Sequence, residues 1–308
     1  MTGSNVAAID IGTNSVRLLV ADGAGRELAR TMRITRLGQG VDETRTLAPD
    51  AVARTLSVLS EYGARIASLG VSRVRAVATS AARDATNSDA FFDAAERALG
   101  TRPELLSGEE EALVSFRGAT ADLSPDDGPF LVIDIGGGST EFVLGLREPE
   151  ASISVPMGCV RMTERHFKSD PPANHELDAC IADVRESLVA VRKVIDVGRA
   201  RRVLGLAGTV TTLSALTLGL THYDATRTHH SVLARGAVET WFRRLAAANV
   251  ETRRTMLAEP ARAEVIVGGA TVLITILREL AIDELLVSEH DILDGLAASL
   301  RGRRTSVR

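Results

Sequence analysis

Cysteine is nearly missing. Cys159 and Cys180 are the only two in 308 residues, so no zinc-type ligand spacing exists. The two could join, but a reducing compartment is the better expectation for so few. An excess of positive charge is missing too. The net charge is −4, so no bulk field draws in nucleic acid or an acidic membrane. A polyanion would have to be held by local donors and metal. No window reads as a membrane span, because charges or glycines interrupt every apolar run. The first residues open directly on a strand pattern, without a basic segment, an apolar run and a cleavage site. These absences predict a cytoplasmic protein. What is present is globular: 45% hydrophobic and 25% charged residues, with length for two domains and a core in each.

One phrase occurs twice. "AIDIGTNSVRL" at Ala8 to Leu18 returns 124 positions later as "VIDIGGGSTEF" at Val132 to Phe142. Asp10 matches Asp134, Gly12 matches Gly136, and Ser15 matches Ser139. Around the first copy, "VAAIDIG", "VRLLVAD" and "ELARTMRITRLG" predict an antiparallel meander. Val52, Leu56, Leu59, Ile66 and Leu69 recur at helical spacing until Gly70 stops the run. A strand "VRAVATSA", a helix "SDAFFDAAERALG", a short strand "PELLS" and a helix from "GEEEALVSF" follow. "SPDDGP" at Ser124 to Pro129 has linker composition.

The pattern then restarts with strands "FLVIDIG", "EFVLGL" and "ASISVPMG". A long helix is expected over Glu176 to Val197, then a strand "RRVLGLAG" and a helix from "TVTTLSALTLG". Helices are expected over "AVETWFRRLAAANV" and "EPARAEVIVGGATVLITILREL". A strand "ELLVS" and a closing helix "DILDGLAASL" precede a charged tail, "RGRRTSVR", expected to fray. The repeat predicts a duplicated α/β domain, residues 1–125 and 126–308, with both turns on one cleft.

A tight glycine turn lets backbone N–H groups approach an anion, and Ser or Thr hydroxyls add donors. The strand-end aspartate repels phosphate, but it can hold a divalent cation that bridges phosphates. A glycine hairpin with Asp as a turn cap is the plainer reading of one such loop; two matched loops favour phosphate plus metal. Neither loop is a nucleotide P-loop, since no "GK[ST]" is present. The continuation "STEFVLG" reads as a strand, which excludes a dinucleotide fingerprint.

The chain resembles the exopolyphosphatase and guanosine-pentaphosphatase family, within the actin-like, sugar-kinase and heat-shock-ATPase fold group. The blocks that carry the resemblance are "AAIDIGTNSVRLLV", "VRAVATSAARDATN", "LLSGEEEALVSF", "VIDIGGGSTEFVLG", "PMGCVRMTE", "LAGTVTTLSAL" and "ARAEVIVGGATVL", in that order. The resemblance implies two ribonuclease-H-like domains with an interdomain active site, in the short form without added helical domains. It implies hydrolysis by water of the terminal phosphate of linear polyphosphate, or of the 5′ phosphate of guanosine pentaphosphate. The cofactor it implies is magnesium, for which manganese can stand in, and the assembly a homodimer. A binding module that senses polyphosphate or nucleotide without turnover is the alternative from another class.

The resemblance also assigns residues. Glu111, last of the three glutamates in "SGEEEA", is the expected general base. Ser107 and Glu110 are explained without chemistry, as a helix cap and its capping box. Asp10, Asp134 and Glu141 are expected around magnesium or the attacking water. Arg83 is expected on phosphate, where a guanidinium fork suits phosphoryl oxygens. Thr13, Asn14 and Ser15 form the first phosphate turn, and Gly137, Gly138, Ser139 and Thr140 the second. Gly208 and Thr209 look like a third contact to substrate. Asn87 reads as a helix cap.

Two features depart from the family pattern. Asp294 in "VSEHDILDG" replaces a usual arginine, and short chains are the expected substrate. His222, His229 and His230 crowd one loop. A histidine triad can bind metal, but no carboxylate spacing supports it, and a solvated loop is expected.

Overall fold

Both copies of the repeat fold as hairpins. In the computed structural model, which describes residues 4–302, β1 (Val6–Ile11) and β2 (Ser15–Ala21) pair antiparallel, and β3 (Glu27–Ile34) pairs antiparallel with β2. Beside β1 runs β4 (Arg73–Ala78) in parallel, and β5 (Glu104–Leu105) extends it. The sheet order is β3-β2-β1-β4-β5. Every residue of β1 is buried, because both faces of the sheet are covered. Ile9, Ile11 and Leu18 meet Leu59, Phe91 and Phe92 of the helices Pro49–Ser68 and Ser88–Leu99. Val6, Ala8 and Leu19 face Ile292, Leu293, Leu296 and Ala297 of the helix Ile292–Gly302.

The second hairpin is β6 (Phe130–Ile135) with β7 (Thr140–Gly145), continued by β8 (Pro149–Val155). β9 (Arg202–Leu206) lies parallel to β6. β10 (Val232–Ala234) and β11 (Glu284–Val287) complete the order β10-β11-β9-β6-β7-β8. Five of these strands repeat the order and directions of the first sheet; β10 is an added antiparallel edge. The helix Ile266–Glu279 is the core of this unit, buried at every position from Ile266 to Leu277. Gly268 and Gly269 allow that depth. A Cβ on Gly268 would stand 2.7 Å from the Cys159 carbonyl, and one on Gly269 2.2 Å from the Thr209 hydroxyl.

The chain divides into two compact units, one up to Gly118 together with the segment from Ile292, the other Ala119–Asp291. The last helix, expected to close the second domain, belongs to the first unit instead. Its apolar face packs on Val6, Ala8 and Leu19, beside Val114 of the helix Gly108–Thr120, and Asp294 pairs with Arg30 of β3 at 2.6 Å. Two helix limits also differ. The long helix is Asn174–Val194. The stretch from Glu259 breaks into a short turn at Pro260–Arg262 before the helix from Ile266. Both cysteines are free thiols and buried. Among the described residues no helix is long and apolar enough to cross a membrane. The tail from Arg303 lies outside the described residues.

Candidate active site

The two hairpins put different chemistry in equivalent places. Asp10, at the end of β1, stands opposite Arg17. Arg17 donates to Asp10 Oδ2 from two nitrogens, at 3.0 and 2.7 Å. In the second unit Asp134 stands opposite Glu141, and the Ser154 hydroxyl donates to Glu141 Oε1 at 2.7 Å. Asp134 and Glu141 are both buried, Glu141 to 1% exposure. Directly opposed residues on antiparallel strands share one face, with Cβ atoms about 5 Å apart, and like charges there repel. A hard cation that takes oxygen ligands relieves that repulsion, so Asp134 and Glu141 fit magnesium. Asp10 already has a guanidinium as its counter-charge.

Backbone carbonyls fix both turns. Thr13 O accepts from Gly38 N at 2.8 Å, and Asn14 O accepts from Thr35 and Arg36. In the second turn Gly136 O accepts from Cys159 N at 2.9 Å, and Gly137 O from Val160 N at 2.9 Å and Arg161 N at 3.1 Å. The buried Arg161 donates through Nε to Gly138 O at 2.7 Å. The three carbonyls thus turn toward the start of the helix Cys159–His166. In a trans peptide the N–H of the next residue points the opposite way. The amides of Gly137, Gly138 and Ser139 therefore point away from that helix, as an anion-binding nest requires. Gly158 is packed on this turn: a Cβ there would lie 2.3 Å from the Gly137 backbone. Thr140 turns inward, fully buried, and donates to Met157 O at 2.7 Å.

In the first unit, the helix Gly108–Thr120 begins with the expected capping box. Glu110 N donates to Ser107 Oγ at 3.1 Å, and Ser107 N donates to Glu110 Oε2 at 2.9 Å. Those hydrogen bonds hold the Glu110 carboxyl below its ordinary range. Glu111 is the next residue around the helix, with its side chain 13% exposed. Arg83, on the short helix Ser80–Asp84, donates to Glu111 Oε2 at 3.2 Å and to Leu106 O at 2.7 Å. Asn87 does not cap its helix; its side chain clamps the backbone N–H and C=O of Leu47.

Gly208 and the buried Thr209 open the helix Ala207–Thr217. Ala207 holds a left-handed φ of 66°. The Arg262 guanidinium covers Gly208, within 1.7 Å of where a Cβ would stand. Arg262 is oriented by Glu259 at 2.7 Å.

Within the first unit, the structure brings Glu111 to Arg83, and Asp10 to the Thr13–Ser15 turn. Within the second it joins Asp134 and Glu141 to the glycine turn. Arg17, Arg161, Gly158 and Arg262 are additions. All four stood inside quoted motifs, but their partners were not visible. His222 shares a hydrogen bond with Thr221 at 3.2 Å, whereas His229 stacks on His230.

A duplicated α/β fold with an anion turn and paired carboxylates defines a phosphate-handling protein. Residues 19–303 match the model of the Ppx/GppA phosphatase family, and the chain belongs to that family. It is 47% identical to Exopolyphosphatase 2 of Mycobacterium tuberculosis, over 98% of this chain and 100% of that protein. It is 32% identical to the guanosine-5′-triphosphate,3′-diphosphate pyrophosphatase of Vibrio vulnificus, over 94% of this chain and 58% of that one. A solved exopolyphosphatase-like protein superposes with a TM-score of 0.93 at 38% identity, covering 96% of this chain and 98% of the other. The Aquifex aeolicus family member gives 0.79 at 35%, covering 96% and 97%.

Proposed function

We propose that this protein is an exopolyphosphatase that removes the terminal phosphate of linear polyphosphate with magnesium. The observation that carries the reading is the pairing of Asp134 with Glu141 beside outward-turned amides, a seat for a cation next to a seat for phosphate. The relative named Exopolyphosphatase 2, matched end to end, supports it. The repeated strand order supports reading each unit as ribonuclease-H-like.

In the reaction, water attacks the terminal phosphorus, a new P–O bond forms, and the bridging P–O bond to the chain breaks. Glu111 takes the proton from the attacking water. Arg83 fixes the Glu111 carboxylate and adds positive charge where phosphoryl charge spreads. The amides of Gly137, Gly138 and Ser139 hold phosphoryl oxygens, and Thr13, Asn14 and Ser15 serve the same chain from the first turn. Gly208 and Thr209 meet it near Arg262. Magnesium, when bound, offsets the charge of adjacent phosphates. Asp134 and Glu141 would hold it, and Asp10 orients Arg17.

The second reading, guanosine pentaphosphate as substrate, draws on the Vibrio relative. Phosphate release from short polyphosphate, long polyphosphate, guanosine pentaphosphate and ATP, each with magnesium, separates the readings. Steady release from polyphosphate chain ends is expected. Rapid internal shortening with little free phosphate, or a preference for guanosine pentaphosphate, would remove the exopolyphosphatase reading.

A further inference from the structure

Three side chains outside this machinery converge on one oxygen. Asp122 Oδ2 lies 3.0 Å from His229 Nε2 and 3.2 Å from His290 Nδ1, and one ligand atom from each residue falls within 4.8 Å of the others. His230 stacks on His229 with ring centroids 3.8 Å apart. Its Nε2 is buried without a hydrogen-bond partner, 3.6 Å from the same oxygen. The geometry points to a metal site formed by Asp122, His229 and His290, for a transition ion of the zinc, cobalt or nickel class.

Metal–ligand distances of about 2.0–2.2 Å set tetrahedral edges of about 3.3–3.6 Å. The two short contacts are within a few tenths of an ångström of that edge. Two imidazoles and one carboxylate suit borderline transition ions. Magnesium demands oxygen ligands, so this site is distinct in chemistry from the Asp134–Glu141 pair. The cluster also has a metal-free form. Glu289 N donates to His229 Nδ1 at 3.2 Å, so the ring proton sits on Nε2 and is shared with Asp122. An incoming ion takes the Nε2 lone pair, and the proton moves to Nδ1. The Glu289 amide bond is given up, and the charge of the ring is unchanged.

The position gives the site a consequence. Asp122 lies four residues after the first passage of the chain between units, and His290 two residues before the return. His229 follows the turn Ala225–Thr228. A bound ion fastens both passage segments to that turn.

The test uses the full chain, stripped with chelator and titrated with Co²⁺ and Zn²⁺. One Co²⁺ per chain is expected, with the strong visible absorption of four-coordinate cobalt, undisplaced by millimolar magnesium. Zn²⁺ is expected to raise the melting temperature. His290→Gln and Asp122→Asn should each weaken Co²⁺ binding at least tenfold while melting normally without metal. Glu111→Gln and Glu141→Gln should bind Co²⁺ as the parent does, which separates this site from the catalytic reading. Unchanged affinity in both cluster variants, a pale six-coordinate spectrum, or displacement by magnesium would overturn the proposal. If one variant misfolds, the other and His229→Gln decide it.

Discussion

Arg83 donates to Glu111 Oε2 at 3.2 Å and, with the same nitrogen, to the Leu106 carbonyl at 2.7 Å. The guanidinium ties the glutamate to the strand end that precedes its own helix. Glu111→Gln keeps the size of the side chain and removes its basicity. Turnover is expected to fall by about 10²–10⁴, with circular dichroism and substrate binding retained. Arg83→Lys keeps a charge but loses the planar fork, and its loss of turnover should be smaller. Near-normal rates in Glu111→Gln would take that residue out of the mechanism.

The Asp134–Glu141 pair makes a prediction about magnesium. Glu141→Gln removes one of two facing charges. Half-saturating magnesium should rise by an order of magnitude or more. Magnesium titrations of the rate read this effect, and excess chelator should stop the parent enzyme.

Gly158→Ala tests the glycine turn. The added Cβ would lie 2.3 Å from the Gly137 backbone, where no flexible side chain can yield. The turn must shift, and displacement of about 1 Å can cost about 10² in rate. Phosphate release is expected to drop with the far-ultraviolet spectrum unchanged. An unaffected rate would show that the turn does not position substrate.

Glu176 supplies a pH dependence remote from catalysis. Hydrogen bonds from the Ser169 hydroxyl and the amides of Ala173, Lys168 and Ser169 hold its carboxyl down at about 2, from an ordinary 4.5. A depressed carboxyl contributes stability that is present above 4.5 and lost as pH falls toward 2. Glu176→Gln should therefore lower the denaturation midpoint at neutral pH, with the gap closing across that window. A gap independent of pH would exclude the carboxylate as its source.

The hairpins were legible because strand, turn and strand are local, and because they occur twice. The capping box at Ser107 and Glu110 was legible for the same reason. Arg161 was not: its burial on Gly138 O depends on a helix twenty residues further along the chain. The break before Ile266 was hidden because "EPARAEVIVGGATVLITILREL" keeps helical apolar spacing through Pro260. β10 has three residues, too few for a period to register. Asp294 read as a departure from the family pattern; its partner Arg30 lies at the opposite end of the sequence. The histidine cluster draws Asp122 and His290 to His229 from distant segments, while His222, its neighbour in sequence, stays out.

The return of the helix Ile292–Gly302 to the first sheet affects how the protein is made. The unit Ala119–Asp291 is continuous and is complete while the first unit still lacks a piece. On a ribosome adding about 5–20 residues per second, the unit in between takes roughly nine to thirty-five seconds to emerge. For that interval Val6, Ala8, Leu19 and Val77 lack Ile292, Leu293, Leu296 and Ala297 over them. The nascent first unit is thus a sheet whose apolar face waits for that helix.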